Sequence, residues 1–318
     1  MKASLYRISM LAFLYLISGC AAKDVREVTL NAQLPKQVEL SKTPFFPQEL
    51  YQCGPAALAT ALNAVNIQVT PEQLTPEIYI PSRRGSLQIE MLAATRRHGA
   101  VPIQTPPKLE SVLQEIAAGN VVVVMQNLGL SWVPSWHYAV VIGYDLNREL
   151  IWLRSGKFKR FEMTLSAFQR TWARSEYWAF TALPPGKLPA NATADDVGKA
   201  LVAYEKNAPA SVTKVAYQAA VNKWPDNLVL LMGLGNSAYM VGDWPTAAAA
   251  FQQAIEAHPT APAAYNNLAN MLLAQKDATR AEVIAEKGLA LVKNDEKLKS
   301  QIMQTLIEIR TYQKQLTR

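Results

Sequence analysis

Residues of the same kind return at fixed offsets through the second half of the chain. Leu234, Gly235, Ala247, Phe251, Ala254 and Pro259 mark one period, and Tyr265, Leu268, Ala269, Ala281 and Gly288 mark the next. A fainter period lies upstream, with Leu201, Tyr204, Tyr217, Ala220 and Pro225. Each period is a supersecondary unit too small to bury its apolar face alone, so neighbours must stack into a continuous core. Small residues let the two helices of a period approach, while Tyr, Trp and Phe fill the space between periods. The last segment, EKLKSQIMQTLIEIRTYQ, is expected to cap the final apolar face.

The middle period, LVLLMGLGNSAYMVGDWPTAAAAFQQAIEAHP, resembles the tetratricopeptide pattern, with Gly242-Asp243-Trp244 in its turn. The resemblance implies an all-α superhelix over residues 194–318 whose concave face takes a polypeptide partner. Ahead of it PPGKLPANATADD is rich in proline, glycine and small polar residues, which places a linker at 186–193.

Residues 41–185 read differently. ALATALNAV predicts a helix, as do GSLQIEMLAATRRHG, closed by Gly99, and KLESVLQEIAAGN, closed by Gly119. After them come NVVVVMQN, HYAVVIGYD, ELIWLRSG and EYWAFTALPP, short β-branched or aromatic runs broken by Gly, Asn, Asp and Pro. Helices first and an antiparallel sheet afterwards make an α+β domain.

The chain opens with Lys2 and Arg7 ahead of the apolar run ISMLAFLYLI. This run of about ten residues is half of the roughly twenty needed to span a bilayer, and suits a secretory signal over residues 1–19. Its end, Leu16-Ile17-Ser18-Gly19-Cys20, resembles the bacterial lipobox. That resemblance implies lipidation at Cys20 and anchorage on the periplasmic face of a membrane. Ala21 in place of Asp points to the outer membrane. The polar stretch 20–40 reads as a lipidated tether.

With Cys20 acylated, Cys53 is the only remaining thiol and an internal disulfide is excluded. Half of the 318 residues are apolar and 18% are charged, which excludes a disordered chain. The net charge of +7 is scattered, the densest clusters being pairs such as Arg83-Arg84 and Arg96-Arg97. Nucleic-acid binding, which wants a basic stripe or an aromatic platform, is not expected. Neither a cofactor nor a metal site is expected.

Chemistry concentrates in QELYQCGPAALATAL, residues 48–62. Cys-Gly-Pro directly before a helical run puts the thiol at a helix N-terminus, where unpaired N–H groups favour the thiolate. Paired with an imidazolium, Cys53 is expected to react at a pH below the ~8.5 of free cysteine. Gly54 allows close approach of a carbonyl, Pro55 is tolerated in the first turn, and Gln48 offers a donor for an oxyanion. Of three histidines, His258 lies among the repeats and His98 ends a helix, whereas His137 opens a strand.

PFFPQELYQCGPAALATAL with the later HYAVVIGYD resembles the bacteriocin-leader-processing cysteine peptidases and their non-transporter relatives, which share a papain-like fold. The resemblance implies Cys53 as nucleophile, His137 as base and Gln48 at the oxyanion hole. Family members carry Asp-Pro on the next strand to hold the imidazole; here Ser155-Gly156 stands there, and Asp145 is read as a turn residue. The leading expectation is a membrane-anchored cysteine peptidase acting on a protein or peptide, with repeats that recruit a substrate or partner. A catalytically weak papain-like binding module in envelope assembly is one alternative. Acyl or amide transfer by the same Cys-His pair is another.

Overall fold

A computed structural model describes residues 25–28, 33–48 and 52–316. The chain divides into two units, one running to Pro184 with Pro189–Ala192, the other comprising Pro185–Leu188 and Thr193 onwards. The stretch read as a linker is therefore shared: Asn191 bonds Ser111 Oγ at 2.9 Å and Glu115 Oε1 at 3.1 Å in the first unit.

The first unit is built on an antiparallel sheet of order β4-β9-β5-β6-β7-β8, with β1 paired to β6. The strands are β1 (Gln37–Glu39), β4 (Val101–Gln104), β5 (Val122–Asn127), β6 (Trp136–Asp145), β7 (Leu150–Ser155), β8 (Phe158–Thr164) and β9 (Ala179–Leu183). A separate hairpin joins β2 (Tyr79–Ile80) to β3 (Gly85–Ser86). One face of the sheet packs on helices α1 (Cys53–Asn63), α2 (Pro71–Ile78) and α3 (Gln88–Arg97), the other on α4 (Leu109–Ala117) and α5 (Leu165–Ala173). The α+β reading of this half holds. Gly99 and Gly119 close their helices at φ +84° and +81°, values that cost glycine nothing.

The tether reading of 20–40 needs correction. Val25, Val28 and Leu34 are buried in the core beneath α4 and α5, and Gln37–Glu39 pairs in register with Gly143–Asp145. Gly143 is what admits β1, since a Cβ there would lie 2.6 Å from the Val38 carbonyl oxygen. Val25, Val28, Leu34 and Val38, spaced by three, six and four, gave too sparse a pattern to read as core.

The second unit is all helix: α6 (Ala194–Tyr204), α7 (Ala210–Lys223), α8 (Leu228–Met240), α9 (Trp244–Ala257), α10 (Pro262–Ala274), α11 (Ala278–Leu291) and α12 (Glu296–Leu316). Small residues here sit against rings. A Cβ on Gly233 would meet the Tyr217 ring at 2.2 Å, and one on Gly235 the Phe251 ring at 2.3 Å. Tyr204, Tyr217 and Phe251 are buried, so the upstream period is a packed helix pair like the others. On α12, Ile302, Leu306 and Ile309 bury into the cluster of α10 and α11 and close its apolar end.

Candidate active site

Helix α1 begins at Cys53 itself and buries every residue from Gly54 to Leu62. Burial on all sides explains its lack of a polar face: this is a central helix lying on the sheet, with its first turn at an open cleft. Gly54 is required there because a Cβ would fall 2.3 Å from Ser86 Oγ of the β2–β3 hairpin.

The cleft has a volume of about 1600 Å³ and is lined by Gln48, Cys53, His137, Tyr138, Ser86 and Gly156, among others. Strand β6 supplies His137 and Tyr138; its partner β7 ends at Ser155, at the same end of the sheet. His137 Nε2 and Ser155 Oγ are 2.9 Å apart. With Nε2 so engaged, Nδ1 is the ring nitrogen left for the thiol. The tautomer that can accept the thiol proton at Nδ1 carries hydrogen on Nε2, which then donates to the serine oxygen.

Gln48 is fixed twice from this end of the sheet. Its backbone N–H donates to the Gly156 carbonyl at 3.0 Å, and its Nε2 lies 3.4 Å from the Tyr138 carbonyl. The side-chain contact is long for a hydrogen bond, so the amide donor can swing to a developing oxyanion at little cost. Sequence reasoning passed over the residue that anchors this segment. Arg154, buried within β7, donates to the carbonyls of Ser41 (3.1 Å), Thr43 (2.7 Å) and Lys159. It ties the chain leading to Gln48 onto the strand that carries Ser155. A lone arginine in ELIWLRSG gives no hint of carbonyl partners more than a hundred positions upstream.

The other expected roles separate cleanly. His98 bonds Glu77 at 2.9 Å and His258 donates to the Asp226 carbonyl at 2.6 Å, each away from the cleft lining. Asp145 accepts from the Asn147 and Arg148 N–H groups as a turn residue. No carboxylate contacts His137 among the described residues; Ser155 is its side-chain partner. Cys20 lies outside the described residues. Among these, no cluster of His, Cys, Asp and Glu is arranged to hold a metal, and no helix is long and apolar enough to cross a membrane.

Electrostatics correct the expected acidic thiol. Burial pushes Cys53 above the ordinary thiol value and outweighs the backbone N–H groups of Tyr138, Gly54 and Cys53 that pull it down. Burial also pushes His137 below the ordinary imidazole value. Both shifts favour a neutral thiol and a neutral imidazole in this cleft over a preformed ion pair. The helix N-terminus is there, as the sequence required, but the desolvation that opposes it follows from packing alone.

Residues 28–179 match the model of the Peptidase C39-like family, and residues 232–296 match that of the tetratricopeptide repeat. An N-terminal α+β domain similar to the Peptidase C39-like family is followed by a helical region similar to tetratricopeptide repeats. Among solved structures, a C39-like peptidase from Bacillus anthracis is 19% identical, aligning over 47% of this chain and 98% of its own, with a TM-score of 0.40. The double-glycine-motif protease of an AMS/PCAT transporter, solved with its leader peptide, is also 19% identical over 45% of this chain and 93% of its own, at TM-score 0.35. For the repeats, the TPR2B domain of yeast Sti1, solved with an Hsp70 peptide, is 18% identical over 37% of this chain and 96% of its own, at TM-score 0.35. No curated protein matches the chain.

Proposed function

We propose that the C39-like domain is a cysteine peptidase in which Cys53 attacks a peptide carbonyl, His137 takes the thiol proton and Ser155 positions the imidazole. The supporting observation is the 2.9 Å His137–Ser155 contact in a cleft that also holds Cys53 at a helix start. Because the resting pair is neutral, proton transfer from sulfur to Nδ1 accompanies attack rather than preceding it. The oxyanion gains the Cys53 backbone N–H and the Gln48 amide as donors. His137 then returns the proton to the leaving amine, and water cleaves the thioester. At neutral pH, Cys53→Ala and His137→Ala should each abolish hydrolysis of a peptide ester by the full chain; retained turnover of either variant at that pH would remove the reading.

In the same proposal Cys20 carries a lipid that holds the domains at the periplasmic face of the outer membrane, and the repeats bind a protein partner. Cys20→Ala should yield unprocessed precursor, and normal lipid labelling of that variant would refute the anchor. Removing residues 194–318 should weaken capture of a partner while sparing hydrolysis of a small ester. The neutral resting pair and the missing carboxylate favour one competing reading, a catalytically weak binding module. The ester assay separates the two.

A further inference from the structure

The end of the sheet that carries His137 also carries a hairpin loop of unusual composition. Residues 128–136, LGLSWVPSW, contain no charge, and five of them are large apolar side chains held in solvent. Trp132 is 78% exposed and Val133 64%, with Leu128, Leu130 and Trp136 each just over half exposed. The loop is braced rather than slack. Asn127 Oδ1 accepts from the N–H groups of Gly129 (3.0 Å) and Ser135 (2.9 Å), Leu130 and Val133 bridge each other, and Arg174 donates to the Gly129 carbonyl at 2.7 Å. A preorganised apolar projection of this kind marks an interaction site.

We infer that this loop inserts into the interface of an anionic lipid bilayer, so that the cleft opens at the membrane surface. The observations separate a bilayer from a polypeptide as occupant. Of the loop, Pro134, Ser135 and Trp136 line the cleft, whereas Leu130, Trp132 and Val133 lie outside that lining and hold their apolar side chains in solvent. A fluid apolar phase accepts such a projection, and tryptophan beside aliphatic side chains is the composition found at the hydrocarbon boundary. The adjacent β7–β8 turn adds exposed Lys157, Phe158 and Lys159, and Arg83 stands on the cleft rim, a cationic collar suited to acidic headgroups.

This inference rests on the proposed anchor at Cys20; Val25 is already in the domain core, so the intervening chain reaches at most about 18 Å fully extended and keeps the domain near the bilayer. Strand β1 pairs with Gly143–Asp145, the far end of β6 from the loop, so the loop and its basic neighbours, rather than the tether, set which end faces the lipid.

The test uses the full chain on vesicles of phosphatidylethanolamine and phosphatidylglycerol, with and without bromine on the acyl chains to quench nearby indoles. The expected result is quenching of wild-type tryptophan emission that Trp132→Phe largely removes, and that is lost on phosphatidylcholine vesicles at high salt for any unacylated protein. Equal quenching in wild type and Trp132→Phe overturns the inference. So does a Trp132→Ala variant that raises KM for a soluble peptide ester in the absence of lipid, which would assign the loop to substrate. Mass measurement of the N-terminal peptide in the same preparation distinguishes the two failures. An acylated chain with unquenched Trp132 sinks the loop alone; an unacylated chain sinks the anchor, and its quenching on anionic vesicles still decides the loop.

Discussion

Replacing Ser155 with Asp should convert a weakly supported imidazole into a strongly supported one. In the wild type a neutral hydroxyl sits 2.9 Å from His137 Nε2. A neutral hydrogen bond is worth ~0.5–1.5 kcal/mol and one to a charged group ~1.5–3 kcal/mol, so a carboxylate gains about 1–1.5 kcal/mol for the imidazolium form. That is about one pKa unit on His137. It is up to about tenfold in kcat/KM if the imidazolium is fully formed in the transition state. The sign follows from the burial that depresses His137: a neighbouring anion opposes that cause and raises the pKa. Ser155→Ala should act the other way, slowing the reaction about three- to tenfold by losing the neutral bond. The assay is kcat/KM on a peptide ester across pH 5–10, paired with NMR titration of the His137 ring in each variant. A role confined to folding moves the melting temperature and leaves the titration alone. If His137 titrates identically in wild type, Ser155→Ala and Ser155→Asp, Ser155 does not act through the imidazole and the reasoning fails.

Further outcomes follow from other contacts. Gln48→Ala should lower kcat by about 10²–10³ with KM nearly unchanged, the loss seen for one oxyanion donor; a pure KM effect contradicts that role. Arg154→Met should destabilise the first unit by about 3 kcal/mol or more, because three carbonyl groups lose their buried donor at ~1–3 kcal/mol each; urea unfolding reads this, and a change under about 1 kcal/mol refutes it. Because Cys53 is held neutral to higher pH when folded than when unfolded, its contribution to stability is present below the ordinary thiol pKa and lost as pH rises beyond it. Cys53→Ala should therefore flatten the fall in melting temperature above about pH 8.5, and an unchanged alkaline slope counts against the buried thiol.

What the sequence disclosed depended on whether a residue's partners were local. Gly99 and Gly119 stop their helices through their own φ, and Leu234, Ala247 and Phe251 repeat with their neighbours, so both signals survive in a linear reading. Strand β4 was hidden by Pro102, which is tolerated because β4 lies at the edge of the sheet. At the opposite edge β8, FKRFEMT, exposes nearly all its residues and so shows no alternation. Cys53, His137, Gln48 and Ser155 were nameable from motif and order, and the structure gathers them at one end of the sheet. The direction of the thiol shift was not legible, because the burial that raises it comes from packing of Cys53 against the core cluster on this face of the sheet. Arg154 was hidden for the same reason: its carbonyl partners are fixed by tertiary structure.

The most direct test of the central claim is covalent capture at the thiol. The full chain is incubated with a peptide ester, quenched in acid, and digested for mass spectrometry, in wild type and His137→Ala. The account predicts an acyl adduct on Cys53 in wild type that forms and decays with turnover. It also predicts loss of that adduct in His137→Ala at neutral pH, with partial return at high pH where the thiol ionises unaided. Ester hydrolysis without any adduct on Cys53, or an adduct that forms equally fast without His137, would contradict it.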